Sequence, residues 1–546
     1  MSLIHELEAL QAERGHLDDE SLRALSRRIG EPLYRLQEVI SFYPHFRRTP
    51  PARTEIHVCR DMSCHLAGGD GLAGRIRAAL AAGAADGEGI EVVETSCLGC
   101  CELAPAVRVD GRPAAAQDPE ALAAGLSNGG PPRWRAPDRR WRADPYAGER
   151  EASYSTFRRV LESADRDAAL SSLIGELEGS GLRGMGGAGF PTGLKWKIVR
   201  GENATPKYVV CNADESEPGT FKDRVILEQL PHLVVEGMLL GGLTVGAAKG
   251  VIYLRHEYQA ARDELEQELG YARGAGWLGE NIQGSGFDFD IEIFVSPGGY
   301  ILGEETALLE ALEDRRGEPR NKPPFPGEKG LFGQPTLINN VETFAWAVCI
   351  AARGAEWWKH QGVNGCAGLK AIAVSGHVEH PGVYEIPMGT TVAELIELAG
   401  GVSGGRELKG FAPGGASSNF LPAELAGTPL DFGALANAGS MLGSGALVVV
   451  AEGTAMLPLA ANVVRFFRNE SCGKCVPCRD GSQKSVQLLE RAMAEGTPLD
   501  WETLAALEEL LVETSICGLG YVVLNPLVSA AKHWPEEFPG APGSSS

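Results

Sequence analysis

The sequence predicts a multidomain α/β protein that ends in a helical domain, and three observations carry that reading. The chain has 546 residues, which at roughly 100 to 200 residues per domain gives several separate cores. Apolar strand-like runs alternate with amphipathic stretches up to residue 450, the pattern of α/β units. From 455 to 533 the apolar period is helical throughout. Composition is that of folded protein, with 44% hydrophobic and 22% charged residues. Lys and Arg number 50 against 72 Asp and Glu, a net charge of 50 − 72 = −22. That is the wrong sign for non-specific nucleic-acid binding.

The elements follow in chain order. Leu22, Leu25, Ile29, Leu33, Leu36 and Ile40 recur at helical steps, so residues 1–46 read as helices, with Pro32 opening one of them. Thr54 to Cys59 reads as a strand, Gly71 to Ala82 as a helix and Ile90 to Val93 as a second strand, a small α/β unit within a domain 1–126. Residues 127–150 form a linker whose stretch Ser127 to Arg142 carries five arginines and two tryptophans. It is read as lying along its own acidic protein rather than as clamping a phosphate or docking a partner. A larger α/β domain, 151–350, has strands at Tyr208 to Asn212, Gly250 to Leu254 and Phe289 to Val295.

Residues 366–450 are β-rich, with strands Leu369 to Ser375 and Gly382 to Ile386 and a helix from Thr391 to Ala399. The uncharged run Phe432 to Ala451 matches a membrane span in length. Gly433, Gly439, Gly443 and Gly445 interrupt it, so it reads as a loop and a buried strand at Ala446 to Val450, and no membrane span is expected. A helical domain, 455–538, and a disordered tail, 539–546, follow. The acidic start Met1 to Glu8 lacks a signal-peptide pattern, so a cytoplasmic setting is expected. There, clustered cysteines suggest metal or redox chemistry before disulfides.

Three constellations carry chemistry. Cys472, Cys475 and Cys478 stand at two-residue gaps, with Cys517 further on. A compact triplet curls the backbone around one centre and a distant thiolate closes it, which is 4Fe-4S spacing. Structural zinc more often takes two separated pairs and is the weaker reading. Cys59, Cys64 and the group Cys97, Cys100 and Cys101 follow strand ends of the small α/β unit, which suits a 2Fe-2S cluster. A dithiol pair Cys97–Cys100 would leave Cys59 and Cys64 unexplained. Spacing alone leaves Cys100 and Cys101 as alternatives.

The third constellation is glycine-rich: Gly184, Gly186, Gly187 and Gly189, with Lys195 near a helix start. A dinucleotide-fold glycine loop follows a strand, whereas Leu173 to Glu178 reads as helix. What remains is that bare amides and a nearby cation suit a phosphate. The strand at Tyr208 runs into Asn212, Asp214, Glu215 and Glu217, and strand ends are where α/β ligands sit. Acids there suit sugar hydroxyls, and Tyr300, Gly303, Glu304 and Glu305 repeat the pattern. Nicotinamide gives electrons in pairs and clusters take them singly, so a flavin is the natural converter.

At these motifs residues 151–540 resemble the NADH-binding flavoprotein subunit of respiratory complex I, and residues 1–126 resemble its thioredoxin-fold 2Fe-2S partner, here on one chain. The resemblance implies a Rossmann-like FMN/NAD domain, a β-grasp insert and a C-terminal helical bundle with a 4Fe-4S cluster. It implies FMN on Gly184, Gly186, Gly187, Gly189, Lys195, Asn212, Asp214, Glu215, Tyr300, Gly303, Glu304, Asn339, Asn340 and Thr343. It implies NAD(H) oriented by Glu217 and Glu305, the expected catalytic pair, with Phe190, Phe325 and Lys322 toward the adenine. A second adenine-stacking aromatic of the family is Ile198 here.

By the same resemblance Cys59, Cys64, Cys97 and Cys101 hold the 2Fe-2S cluster and Cys472, Cys475, Cys478 and Cys517 the 4Fe-4S cluster. Cys100, Cys211, Cys349 and Cys366 are left as buried free thiols. Fusion of both modules resembles the diaphorase subunits of soluble NAD-linked enzymes. The loop Gly184 to Gly189, with Met185 inside it, and the segment Arg465 to Cys472 look more like formate dehydrogenase β subunits than like the hydrogenase counterpart. The diaphorase of a NAD-reducing hydrogenase and a complex I component are the alternatives. No molybdopterin or nickel constellation is visible, so a catalytic partner is expected, and the resemblance to formate dehydrogenase implies an α subunit with molybdenum or tungsten. An NADH-independent relay and a zinc-stabilised binding module are the rival classes.

Overall fold

The computed structural model describes residues 2–82, 89–126 and 134–541, so linker residues 127–133 and tail residues 542–546 lie outside the described residues. The N-terminal region is three helices, Leu3–Arg14, Asp19–Ile29 and Leu33–Phe42. Their Leu7, Leu22, Leu36 and Ile40 share a core with Leu308 and Leu309 of the middle domain. The small α/β unit holds β1 (Thr54–Cys59), β2 (Ile90–Thr95), β3 (Ala106–Val109) and β4 (Arg112–Ala115) in the order β2-β1-β3-β4. Leu72 and Ile76 of the helix Leu72–Ala82 and Ala123 of the helix Pro119–Leu126 close its core over Ile56, Val58 and Val107.

The middle domain is built on β5 (Lys207–Ala213), β6 (Ala247–Leu254), β7 (Asp290–Val295) and β8 (Thr336–Asn340), all parallel in the order β7-β6-β5-β8. This is the order of half a Rossmann sheet, with its switch point between β5 and β8. Asn212 at the end of β5 sits in register with Asn340 at the end of β8. As the sequence indicated, the glycine loop is not the turn after the first strand. It follows the helix Arg166–Ser180 and precedes the helix Thr192–Gly201.

The described part of the linker lies along this domain. Trp141 Nε1 donates to Gln229 Oε1 at 2.9 Å, and the Tyr146 hydroxyl donates to the buried carboxylate of Glu236 at 2.7 Å. The β-grasp insert has β9 (Leu369–Gly376), β10 (Gly382–Pro387), β11 (Leu408–Ala412), β12 (Leu421–Pro422) and β13 (Ala446–Ala451) in the order β10-β9-β13-β11-β12. The helix Val392–Leu398 starts on a capping box between Thr391 and Glu394. The uncharged run holds a short helix, Phe432–Asn437, ahead of its loop and β13. No helix among the described residues is long and apolar enough to cross a membrane.

Helices Met456–Asn469, Val476–Glu495, Trp501–Thr514, Gly518–Val522 and Asn525–His533 complete the fold. The expected disordered tail starts too early at 539. Leu499 N donates to Pro539 O at 3.0 Å and Ala541 is buried, because the tail caps the entry to the helix Trp501–Thr514.

Four buried charges tie the domains together. Lys222 Nζ lies 2.7 Å from Asp223 and 2.9 Å from Glu342, and Lys370 Nζ lies 2.5 Å from Glu342. Glu342→Gln leaves two sealed ammonium groups short of one carboxylate. A loss of about 3–5 kcal/mol is expected in urea denaturation, with much of it recovered when Lys370→Met is added.

Candidate functional site

A cavity of about 320 Å³ opens at the ends of β5 and β8, the place where such sheets bind ligands. Gly186, Gly187, Asn212, Asp214, Glu215, Glu217, Tyr300, Gly303, Glu304 and Asn340 line it, as the sequence led one to expect. The sequence reading missed Thr220 and Asp223. It also missed Ser417, Met441, Gly443 and Ser444 of the insert and Gly518, Leu519 and Val522 beyond Cys517. The glycine-rich turns around Gly443 and Gly518 were the available signal.

The remaining expected residues stand around the cavity rather than on its wall. Gly184 N donates to Phe190 O at 2.8 Å and Met185 N to Thr343 Oγ1 at 2.9 Å, which closes the glycine loop on itself and on β8's following helix. Gly186 packs tightly, since a Cβ there would sit 3.0 Å from that of Asn340, which would have to shift. Gly189 has a left-handed φ of +63° and packs on Phe432. Lys195 Nζ donates to Ile338 O at 2.9 Å, and burial pushes its ammonium below the usual value. With its amide turned to satisfy both neighbours, Asn339 donates to Ile338 O and accepts from Trp196 Nε1 at 3.3 Å. It faces away because neighbours on a strand point to opposite sides.

The acids are held hard. Glu215 accepts from Asp223 N at 2.8 Å, Arg224 N at 3.1 Å and the Tyr258 hydroxyl at 2.9 Å. Burial pushes Asp214 and Glu215 up to about 7, and it raises Glu217 as well. Glu217 accepts from the Tyr300 hydroxyl and from Ser417 N, each at 2.6 Å. At the rim Lys322 lies 2.9 Å from Glu304 and 3.3 Å from Glu305. Phe190, Ile198 and Phe325 are 42%, 46% and 59% exposed.

Two thiol sets flank the cavity. Cys59, Cys64, Cys97 and Cys101 are buried, with the Cys97 and Cys101 sulfurs 3.6 Å apart. Contacts with the Cys101 and Cys59 thiols hold Cys97 well below the usual thiol value, while Cys97 raises Cys101, and Cys64 followed by Cys97 raises Cys59. The Cys100 sulfur lies 3.6 Å from Leu98 O, and burial pushes its thiol up to about 12. Cys211 and Cys349 are buried as expected, whereas Cys366 is only half-buried, because it lies on the turn ahead of β9. Cys475 and Cys517 each precede a helix, and Cys478 lies in the first turn of one. Burial pushes Cys478 up to about 11 and Cys517 up to about 12, with neighbouring thiols adding to the effect. Sulfurs crowded this way need a cationic centre to ionise together, and both sets fit iron–sulfur clusters. The buried Ser515 hydroxyl beside the second set has no protein partner.

The first set is stapled to the cavity. Arg255 donates to Cys97 O and to Glu215 O, Arg224 donates to Gly99 O at 3.3 Å, and Arg224 pairs with Glu102. A ligand-sized cavity among phosphate-ready glycines and buried acids, set between two thiol tetrads, defines an iron–sulfur flavoprotein of the NAD(H) oxidoreductase class.

Comparison with known proteins agrees. The chain matches the thioredoxin-like [2Fe-2S] ferredoxin over residues 1–128 and the Nuo51 FMN-binding domain over 177–348. It also matches the SLBB domain over 371–416 and the NADH-ubiquinone oxidoreductase-F iron-sulfur binding region over 458–540. An F-type NADH-quinone oxidoreductase component of Rhizobium meliloti (strain 1021) is 44% identical over 382 residues, 70% of this chain and 91% of the relative. The NADP-reducing hydrogenase component HndC of Solidesulfovibrio fructosivorans is 44% identical over 361 residues, 66% of this chain and 74% of the relative. A solved NAD⁺-reducing [NiFe]-hydrogenase in the H₂-reduced state superposes with a TM-score of 0.86 at 32% identity, covering 98% of this chain and 93% of that one. The chain belongs to the family of F-type NADH-quinone oxidoreductase components, extended at its N-terminus by a [2Fe-2S] ferredoxin domain. It is an NAD(H)-dependent flavin oxidoreductase that uses FMN, a 2Fe-2S cluster and a 4Fe-4S cluster.

Two outcomes are expected. Cys101→Ser abolishes the electron paramagnetic resonance signal of the 2Fe-2S cluster, while Cys100→Ser leaves it. In the flavin-free chain Asp214 keeps its proton to about pH 7 against a usual value of 3.8. Its contribution to stability is therefore full below about pH 4 and lost as pH rises through 7. Urea titrations of flavin-free Asp214→Asn should lose less stability than the parent between about pH 4 and pH 7, by at most about 4 kcal/mol.

Proposed function

We propose that this chain is the diaphorase subunit of a cytoplasmic NAD-dependent formate dehydrogenase, in which a partner oxidises formate and this chain delivers the electrons to NAD⁺ (formate + NAD⁺ → CO₂ + NADH). One observation supports the diaphorase role above others. The cavity at β5 and β8 ends on one side at Gly518, next to Cys517, and on the other is joined to Cys97 through Arg255 and Glu215. When bound there, a flavin exchanges hydride with nicotinamide and single electrons with clusters.

The chain's own residues do the positioning. Gly186 and Gly187 leave amides bare for a phosphate, and Gly184, Gly189 and Thr343 hold that loop in place. Asn212, Asp214, Glu215, Gly303, Glu304 and Asn340 offer acceptors and amides to hydroxyls and ring edges. Lys195 and Asn339 fix the β8 backbone at Ile338. Glu217, pinned by Tyr300 and Ser417, orients the nicotinamide amide or ribose, with Glu305 and Lys322 at the rim. The exposed rings of Phe190 and Phe325 would be available to the adenine. Cys59, Cys64, Cys97 and Cys101 hold the 2Fe-2S cluster, and Cys472, Cys475, Cys478 and Cys517 the 4Fe-4S cluster.

The formate assignment draws support from the loop Gly184 to Gly189 and the segment Arg465 to Cys472, and it requires a molybdenum or tungsten α subunit. The second reading, the diaphorase of a NAD-reducing hydrogenase, is favoured by the hydrogenase match that spans 98% of this chain. Native complex isolated without oxygen should reduce NAD⁺ with formate and contain molybdenum or tungsten; reduction with hydrogen and bound nickel would replace the first reading by the second. Glu217→Gln should retain FMN absorbance while the KM for NADH rises several-fold. Loss of FMN from that variant would show that Glu217 belongs to the flavin instead.

A further inference from the structure

We propose that Arg255 and Glu470 are an opposed pair of positioning charges that sets the reduction potential of the 2Fe-2S cluster while tying its ligand loop to the two walls of the flavin cavity. The inference rests on the reading that Cys59, Cys64, Cys97 and Cys101 hold that cluster.

Arg255 follows β6 and is 4% exposed. One guanidinium nitrogen donates to Cys97 O, a second to Glu215 O, and Nε to Glu257 at 2.9 Å. Two of its contacts are thus neutral carbonyls, one on a cluster ligand and one on a residue of the cavity wall. The approach is possible because residue 99 is glycine. A Cβ there would lie 2.9 Å from the Arg255 guanidinium and 2.7 Å from the Tyr258 ring, and its φ is +68°.

Glu470 reaches the same loop from the helical domain. One carboxylate oxygen accepts from Ser96 Oγ, and the other accepts from Tyr300 N at 2.9 Å. Ser96 precedes Cys97, and Tyr300 lines the cavity. Glu470 is therefore met by a hydroxyl and an amide, which leave its charge in place. Arg224 pairs with Glu102 and Glu228 as Arg255 pairs with Glu257, and the buried carboxyl of Asp61 also lies near Cys97 and Glu470.

Reduction of the cluster adds one electron and one negative charge, with no bond made or broken. In a buried, weakly screening site a cation nearby favours the reduced form and an anion the oxidised form. Arg255 acts at the ligand Cys97 and Glu470 at Ser96 just before it, in opposite directions. Their second contacts, Glu215 O and Tyr300 N, lie on different walls of the cavity.

The test is a redox titration of the full chain with its clusters, following the electron paramagnetic resonance signal of the reduced 2Fe-2S centre. Arg255→Gln is expected to weaken reduction about tenfold, a shift of about 59 mV to lower potential. Glu470→Gln keeps the acceptor for Tyr300 N and is expected to shift the potential upward. Arg255→Lys keeps the charge but cannot span two carbonyls, so the potential stays near the parent's while FMN is retained less well on gel filtration. A merely structural role would move both neutral variants the same way or neither, and either result overturns the proposal. Should Arg255→Gln fail to fold, an unmoved potential in Glu470→Gln overturns it alone. Absence of any 2Fe-2S signal in the parent chain would instead overturn the reading of the cysteines on which the proposal rests.

Discussion

Lys222, Asp223, Glu342 and Lys370 are sealed from solvent where the strand ends of the middle domain meet the insert. Charges in such a place must be paired or they cost several kcal/mol each. Burial favours the neutral form of Glu342, yet the two lysines beside it hold its carboxyl below the usual value. Burial wins at Lys370, pushed down to about 8. The pairing also fixes geometry. Asn340 Nδ2 donates to Asp223 Oδ2 at 2.6 Å, and Lys370 Nζ donates to Ser444 O at 3.1 Å. Asp223, Asn340 and Ser444 are three separate walls of one cavity, so a single network sets their spacing.

The same economy governs how the ferredoxin module meets the sheet. Its ligand loop lies against Arg255, which follows β6, and Arg224 of the helix that follows β5. Pairing of Arg224 with Glu102, the residue after Cys101, adds a third attachment. The module also binds elsewhere: Met62 N donates to Asn462 Oδ1 at 2.9 Å, and the Ser63 and Ser375 hydroxyls are 2.9 Å apart. Middle domain, insert and helical domain thus each hold it by at least one polar contact. Small shifts between the thiol set and the cavity would break several of these contacts at once, which is what a fixed electron path needs.

Much of this was legible in the sequence where one residue type has one job. Thiolate spacing marked both tetrads, and apolar runs marked β5, β6, β7, β9, β10 and β13. Period-two alternation on β8 was a signal left unused, since Asn339 and Asn340 could not both face one cavity. β3 and β4 are four residues each, too short for periodicity to show, and β4 contains a proline. Contacts that cross domains left no local trace. Glu217 is held by Ser417 and Lys222 by Glu342, pairs far apart in the chain whose partners look like ordinary polar residues.

An anionic cofactor in this cavity meets a paradox of charge. Asp214, Glu215, Glu217, Asp223 and Glu304 line it, while no lining residue among those described is lysine or arginine. The cations stand one contact further out. Lys195 is turned to Ile338 O, Lys222 to Asp223 and Glu342, Lys370 to Glu342 and Ser444 O, and Arg255 to Glu215 O. Each is satisfied by protein and none competes with a ligand for its own hydrogen bonds. Their field still reaches the cavity through a weakly screening interior. Negative charge on a ligand is then met by bare amides of the glycine loop and by that field. The carboxylates are left to accept from hydroxyls, which explains how an acid-lined pocket can hold a phosphate ester.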